Sequence, residues 1–270
     1  MRIFSTAVWV LAAGAALAAR LEATNYVVTA DFPYASKYVF RGLPLARASF
    51  QPSLRLTAGE NYAGLWLNQP FASKSDSEID LNAGHNFPLT GGWSLDAGVT
   101  LYYYPQADAP SGGPRHSVEG YLGLNGAIGG TNVGAGLFRD IDLHATTAQV
   151  TAGYSLPLSA RATLSLSGAA GGVAPDHGPG YTFGSVGAAV PCKLSDSATF
   201  TVGANWATHD RTGLAKNSLW LTAGLSVSYW RGLNNSVAAL ERSDDVASQS
   251  HAFVPRRRDS SAATELLKPV

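Results

Sequence analysis

From residue 26 to about residue 230, apolar and polar side chains trade places along the chain. Between Trp93 and Tyr104, the residues Trp93, Leu95, Ala97, Val99, Leu101 and Tyr103 share one parity. Ser94, Asp96, Gly98 and Thr100 share the other. The same period of two runs through Phe50-Leu54-Leu56, Ile79-Leu81-Ala83, Phe200-Val202-Ala204-Trp206 and Leu219 to Tyr229. Strand side chains point alternately to opposite faces, so each stretch predicts a β-strand with one apolar and one polar face. Twelve such stretches can be marked, near residues 26–41, 49–58, 62–69, 78–87, 92–104, 115–125, 130–138, 143–155, 161–170, 181–190, 197–206 and 217–230.

The connections between them have a rhythm. Gly59-Glu60-Asn61, 88–91, 126–129, 156–160 and 191–195 are tight. The alternate gaps, 42–48, 70–77, 105–114, 171–180 and 207–216, are longer and more polar, with 139–142 the short exception. Outer-membrane barrels carry short turns on the periplasmic side and longer loops outside, and they turn the apolar parity toward lipid. A soluble sandwich has no reason to keep this rhythm. The pattern therefore predicts an all-β, transmembrane antiparallel up-and-down β-barrel of about 12 strands.

The ends and the composition point the same way. Met1-Arg2, the uncharged run Ile3 to Leu17 and small residues around Ala16-Leu17-Ala18 or Leu21-Glu22-Ala23 have the layout of a secretory signal peptide. Charged residues make up 14% of the chain, against about 25% in soluble domains, and Gly contributes 29 of 270 residues. Formal net charge is +0, so nothing attracts nucleic acid in general. The single Cys192 excludes an intrachain disulfide framework and is expected in a turn. The expected organisation is a signal peptide over 1–23, the barrel over 24–230 and a mobile periplasmic tail over 231–270. The tail is polar, contains Arg256-Arg257-Arg258 and lacks alternation. Several aromatics (Trp66, Tyr102, Tyr103, Tyr104, Trp206, Tyr229, Trp230) fall near strand ends, where barrels place aromatic girdles.

The first hundred residues of this barrel carry local runs in a set order: Tyr38-Val39-Phe40-Arg41-Gly42 near the end of the first strand, Tyr62-Ala63-Gly64-Leu65-Trp66-Leu67-Asn68, Glu78-Ile79-Asp80-Leu81, Leu95-Asp96-Ala97-Gly98, Tyr102-Tyr103-Tyr104-Pro105 and Glu119-Gly120-Tyr121. In order and spacing they resemble the TorF-type porin family of bacterial outer-membrane barrels. The resemblance covers residues 26 to 125 and only the strand pattern beyond. It implies an outer-membrane location and a channel, with no catalytic residues to carry over.

Strand phase assigns the charges. Arg41 opposes Phe40 and Tyr38, Arg55 opposes Leu54 and Leu56, Asp80 opposes Ile79 and Leu81, Asp96 opposes Leu95 and Ala97, and Glu119 opposes Val118 and Gly120. An Arg on the lipid face at the bilayer midplane costs about 2–4 kcal/mol, so all five are candidate pore-lining residues. Asp80, Asp96 and Glu119, on successive strands, are expected to cluster, either as a cation-selective patch or as a network bracing the wall with Arg41 and Arg55. The six His have no partners at metal-ligand spacing, and His116, His144, His177 and His209 are expected in or beside solvated outer loops. No Gly-x-Ser-x-Gly elbow, cofactor motif or glycine-rich phosphate loop is present. The expected partners are outer-membrane lipids, the barrel assembly machinery and small hydrophilic solutes or ions. A channel for passive diffusion is the leading reading and no enzyme is expected; an outer-membrane hydrolase or a plugged structural or adhesive barrel remains the alternative.

Overall fold

The computed structural model describes residues 25–72, 76–107 and 114–231. The expected signal peptide, the tail beyond Arg231 and the loop around Gly112 lie outside the described residues. Fifteen strands form: β1 (Tyr26–Ala35), β2 (Tyr38–Phe40), β3 (Leu43–Ala46), β4 (Ser49–Phe50), β5 (Ser53–Ala58), β6 (Asn61–Pro70), β7 (Glu78–Pro88), β8 (Ser94–Tyr103), β9 (His116–Ile128), β10 (Thr131–Asp140), β11 (Ala145–Pro157), β12 (Thr163–Pro175), β13 (Tyr181–Lys193), β14 (Ala198–His209) and β15 (Asn217–Arg231). Neighbours in sequence pair antiparallel all the way round, and β15 pairs back onto β1 from Tyr26↔Arg231 to Ala35↔Thr222. With β4 and β5 acting as one strand broken at Gln51-Pro52, this is a closed 12-stranded barrel. Closure leaves no unpaired edge, the condition for strands to cross a bilayer. No helix among the described residues is long and apolar enough to cross a membrane.

The barrel is apolar outside and polar within. Phe32, Leu54, Leu81, Val99, Leu122, Leu137, Val150, Val186, Phe200, Leu219, Leu221 and Tyr229 are exposed on its outer wall, while Ser49, Asn68, Glu78, Asp80, Asn82, Thr100, Ser117, Glu119, Asp140 and Thr147 are buried in its interior. A soluble protein arranged this way would expose far more apolar surface than water tolerates. An outer-membrane barrel requires it, and that is where the protein resides.

The tight turns fall at 59–60, 89–93, 129–130, 158–162 and 194–197, at the end where both β1 begins and β15 finishes. The other rim carries the longer connections, which outer-membrane barrels present on the extracellular side. An epitope tag inserted at Gly178, in the loop after β12, is expected to be labelled on intact cells, and one at Gly91 only after the membrane is opened. The reverse pattern would invert the barrel. At the extracellular rim Arg139 reaches Asp176 with both terminal nitrogens at 2.7 and 2.6 Å. Those hydrogen bonds hold the Asp176 carboxyl below the usual carboxylate range, so the clamp is complete at neutral pH and is lost only as pH falls through that lowered value.

Several sequence expectations need correction. The first strand does not run to residue 41. It stops at Ala35, and Tyr38–Phe40 and Leu43–Ala46 form a separate β2–β3 hairpin that folds into the barrel. Its alternation keeps the parity of Phe32 and Tyr34, so the chain reads as one strand. After the bend at Ser36-Lys37, however, the same parity faces inward. Gap 42–48 is thus half strand. β9, β12, β13 and β14 also run three to five residues further than the pattern suggests. Cys192 lies within β13 rather than in a turn. Trp66 and Tyr102 are interior, not girdle, residues, whereas Tyr103, Trp206 and Tyr229 face outward. His209 is buried at the end of β14 with its Nε2 3.0 Å from the Ala215 carbonyl, not solvated in a loop.

Candidate functional site

The inward hairpin builds the site. β2 and β3 meet through the two-residue turn Arg41-Gly42, with Phe40 opposite Leu43. Both turn residues have positive φ, 45° and 80°. A two-residue loop with two positive φ angles matches the right-handed twist of its strands and strongly favours Gly at its second position. Here Gly is also required by space. A Cβ on Gly42 would stand 2.7 Å from the Thr208 carbonyl oxygen and 2.8 Å from the Phe183 Cβ. The turn therefore crosses the lumen and presses against β13 and β14.

Tyr38, Phe40, Leu43 and Leu45 of the hairpin form one buried cluster with Trp66 of β6, Ala145 of β11, Val173 of β12, and Tyr181 and Phe183 of β13. The Tyr38 and Trp66 rings lie 5.6 Å apart at 46°. Each large side chain so buried contributes about 1.5–3 kcal/mol. All the barrel residues of this cluster sit near the extracellular rim, so the hairpin fills that half of the lumen.

One ion pair anchors the tip. Arg41 donates from both terminal nitrogens to the two carboxylate oxygens of Glu119, each at 2.9 Å. Both side chains are almost wholly buried, 5% and 4% exposed. The guanidinium lies 4.7 Å from the Phe40 ring centroid and 4.9 Å from that of Phe138. Tyr102 donates a hydrogen bond to Glu119 Oε1 at 3.0 Å and fixes the carboxylate plane. Next to it Tyr38 donates to Glu78 at 3.2 Å, and Ser117 to Asp140 at 3.1 Å.

Asp80 completes this upper cluster. It lies across from Trp66 on β6 and Tyr102 on β8 and is 1% exposed. Among the described residues neither of its carboxylate oxygens has a hydrogen-bond partner, and it is within electrostatic reach of Glu78 and Glu119.

Asp96 belongs elsewhere. It sits four residues nearer the turn end of β8 than Thr100, in a second cluster. Tyr62 donates to Asp96 at 2.7 Å, the Tyr62 and Tyr121 hydroxyls are hydrogen-bonded to each other, and the Arg55 guanidinium lies 4.2 Å over the Tyr62 ring. The two phenols lie flat against the wall because Gly84 and Gly98 stand beneath them; any Cβ there would collide with a hydroxyl. The structure thus brings Asp80 and Glu119 together and separates both from Asp96. Arg41 serves the upper cluster and Arg55 the lower. Asp31 also faces inward and accepts from Ser53 at 2.9 Å; its parity opposite Phe32 is the signal that could have found it, whereas Phe138, Tyr62 and Tyr121 share the inward parity but carry no charge to single them out. Glu78 shares the parity of Asp80, which is the signal that could have found it.

The barrel resembles solved outer-membrane structures in fold. The KdgM porin superposes with a TM-score of 0.51 at 8% identity, covering 74% of this chain and 99% of that one. The same porin in complex with disordered oligogalacturonate gives 0.50 at 9% identity, over 74% and 99%. A chain from work on in-meso crystallization of membrane proteins gives 0.51 at 13% identity, over 86% and 96%. Comparison with curated proteins finds no match. The profile of the family described as bacterial protein of unknown function (Gcw_chp) matches residues 19–155, a stretch that runs from ahead of β1 through the hairpin, Glu119 and Phe138 to β11. The chain belongs to the Gcw_chp family.

Proposed function

We propose that this protein is an outer-membrane channel for small hydrophilic solutes, cation-preferring, with the β2–β3 hairpin as its gate. The observation that carries the reading is a polar lumen into whose extracellular half the β2–β3 hairpin folds, its tip held by the Arg41–Glu119 ion pair. The hairpin's chain links to the wall are Ser36-Lys37 and Arg47-Ala48, both at the extracellular rim, and β2–β3 form a sheet of their own that shares no ladder with the wall. The resemblance of Tyr38-Val39-Phe40-Arg41-Gly42 and the runs that follow to the TorF-type porin family supports the same reading.

The charge of the lumen supports cations. Between the rims, the described inward-facing positions carry the carboxylates Asp31, Asp80, Asp96 and Glu119 against the guanidiniums Arg41 and Arg55, and Glu78 and Asp140 add two more carboxylates at the extracellular rim. Lys193, at the periplasmic rim, is paired with Asp196. Fixed carboxylates in a narrow, low-dielectric passage raise the local cation concentration. Such a lumen is poorly suited to a polyanion like the oligogalacturonate held by the KdgM porin. A hydrolase reading gains nothing from the histidines: the hydrogen bonds of His85 and His209 go to Asn61 and to the Ala215 carbonyl, not to a serine.

The filled extracellular half also fits the alternative of a permanently plugged barrel, and recordings separate the two. In planar bilayers the Asp80→Asn/Asp96→Asn double variant is expected to conduct with a clearly lower cation-to-anion permeability ratio than the parent chain, because amides keep the volume and remove the charge. Glu119 is left out of this variant because it holds the gate. An unchanged ratio would remove both residues from the selectivity mechanism. A parent chain that never conducts under any voltage would favour the plug.

A further inference from the structure

We propose that Glu119, Tyr102 and Phe138 form a guanidinium-binding site in the lumen, filled in the closed state by the protein's own Arg41 and open to solutes bearing a guanidinium group when the hairpin withdraws. The binding site itself stands on geometry; its use by passing solutes rests on the channel reading above.

Three features make it a built site. The carboxylate is presented edge-on to a planar fork, with two parallel N–H···O contacts of 2.9 Å, the geometry that distinguishes guanidinium from a simple ammonium. The carboxylate is held in that plane by a hydrogen bond from Tyr102, on a neighbouring strand of the rigid wall, so its orientation does not depend on the hairpin. The face of the cation is covered by Phe138 of β10 at 4.9 Å, a cation–π contact supplied by the wall. Only Phe40, the second ring, comes with the hairpin and leaves with it.

A fourth feature points outward from Arg41 to a ligand. Asp80 is a fully buried carboxylate with no hydrogen-bond partner among the described residues for either oxygen. An ionised carboxylate kept from water without a partner is strongly disfavoured. Both terminal nitrogens of Arg41 are taken by Glu119. A solute with a guanidinium group and a second cationic arm would match both carboxylates, which Arg41 cannot. In this view the hairpin tip occupies the solute's own site, and the two compete for Glu119.

The test is chemical rescue by methylguanidinium. Arg41→Ala empties the fork and leaves the wall intact. Millimolar methylguanidinium chloride should then raise the temperature at which this variant loses its heat-modifiable mobility by roughly 2–4 °C. Urea, which has the shape without the charge, and methylammonium, which has the charge without the fork, should not. Adding Glu119→Gln should abolish the rise. No rise with methylguanidinium, an equal rise with urea or methylammonium, or a rise that survives Glu119→Gln would each overturn the site. If Arg41→Ala does not fold unaided, refolding yield becomes the readout: recovery with methylguanidinium but not urea supports the site, and equal failure in both overturns it. Because nothing here depends on conductance, a chain that binds methylguanidinium and never conducts would overturn the channel and leave the site, and the converse result would do the opposite.

Discussion

A Glu119→Gln channel is expected to open far more often than the parent chain. The substitution keeps the shape of the side chain and removes its charge, so the Arg41 guanidinium stays buried between Phe40 and Phe138 with no ionic partner. Breaking a buried pair by removing one member costs about 3–5 kcal/mol. Since 1.4 kcal/mol is tenfold in an equilibrium, the closed state should lose roughly 100-fold or more in population relative to the open one. The barrel itself should be untouched, because the β8–β9 and β9–β10 ladders do not depend on this side chain. Normal heat-modifiable mobility with an increased open probability is the expected pair of results. An unchanged open probability would remove the ion pair from gating.

Gly42→Val should reach the same open state by a different route, and more completely. Two penalties fall on one residue. The φ of 80° is a conformation that β-branched residues adopt only under strain. The first side-chain atom would also meet the Thr208 carbonyl at 2.7 Å and the Phe183 Cβ at 2.8 Å, neither of which is the yielding end of a flexible chain. The turn could not seat against β13 and β14, and the apolar cluster beneath it would open with it. Gly59→Val offers the control. Its φ of 57° is similarly strained, but no atom lies within 4 Å of the added Cβ and it sits in a periplasmic turn. It should lower thermal stability slightly and leave the conductance of the parent chain unchanged. Equal conductance in the Gly42 and Gly59 variants would mean that the hairpin contact with β13 and β14 does not matter to closure.

The barrel was legible because two patterns recur along the whole chain. Period-two alternation fixes the strands, and the alternation of short and long gaps fixes their up-and-down order. Strand phase likewise points the polar parity of Asp80, Asp96 and Glu119 to one side of the wall. The hairpin was not legible, for a physical reason. Tyr38 and Phe40 continue the parity of Phe32 and Tyr34, and alternation records only that two faces differ, not which faces lipid. The same apolar pair suits an acyl chain or the filled end of a lumen, and the bend at Ser36-Lys37 that decides between them has no strong turn signal. Nor does alternation give height along the barrel. It places Asp80, Asp96 and Glu119 on successive strands but not on the same level, so the separation of Asp96 into the Tyr62–Tyr121–Arg55 cluster needed the register of β7, β8 and β9. The glycines Gly84 and Gly98 read as weak strand formers in the sequence; only the flat phenols lying over them explain their place.

The most direct test of the account is a planar-bilayer recording of the refolded parent chain beside one in which residues 38–46 are replaced by a short Gly-Ser linker. The linker should leave the strands of the wall paired, since the hairpin contributes no ladder to it. A mostly closed parent and a steadily conducting, cation-preferring linker variant are expected. Identical conductance in the two chains, or a linker variant that forms a heat-modifiable barrel and still passes no current, would contradict it.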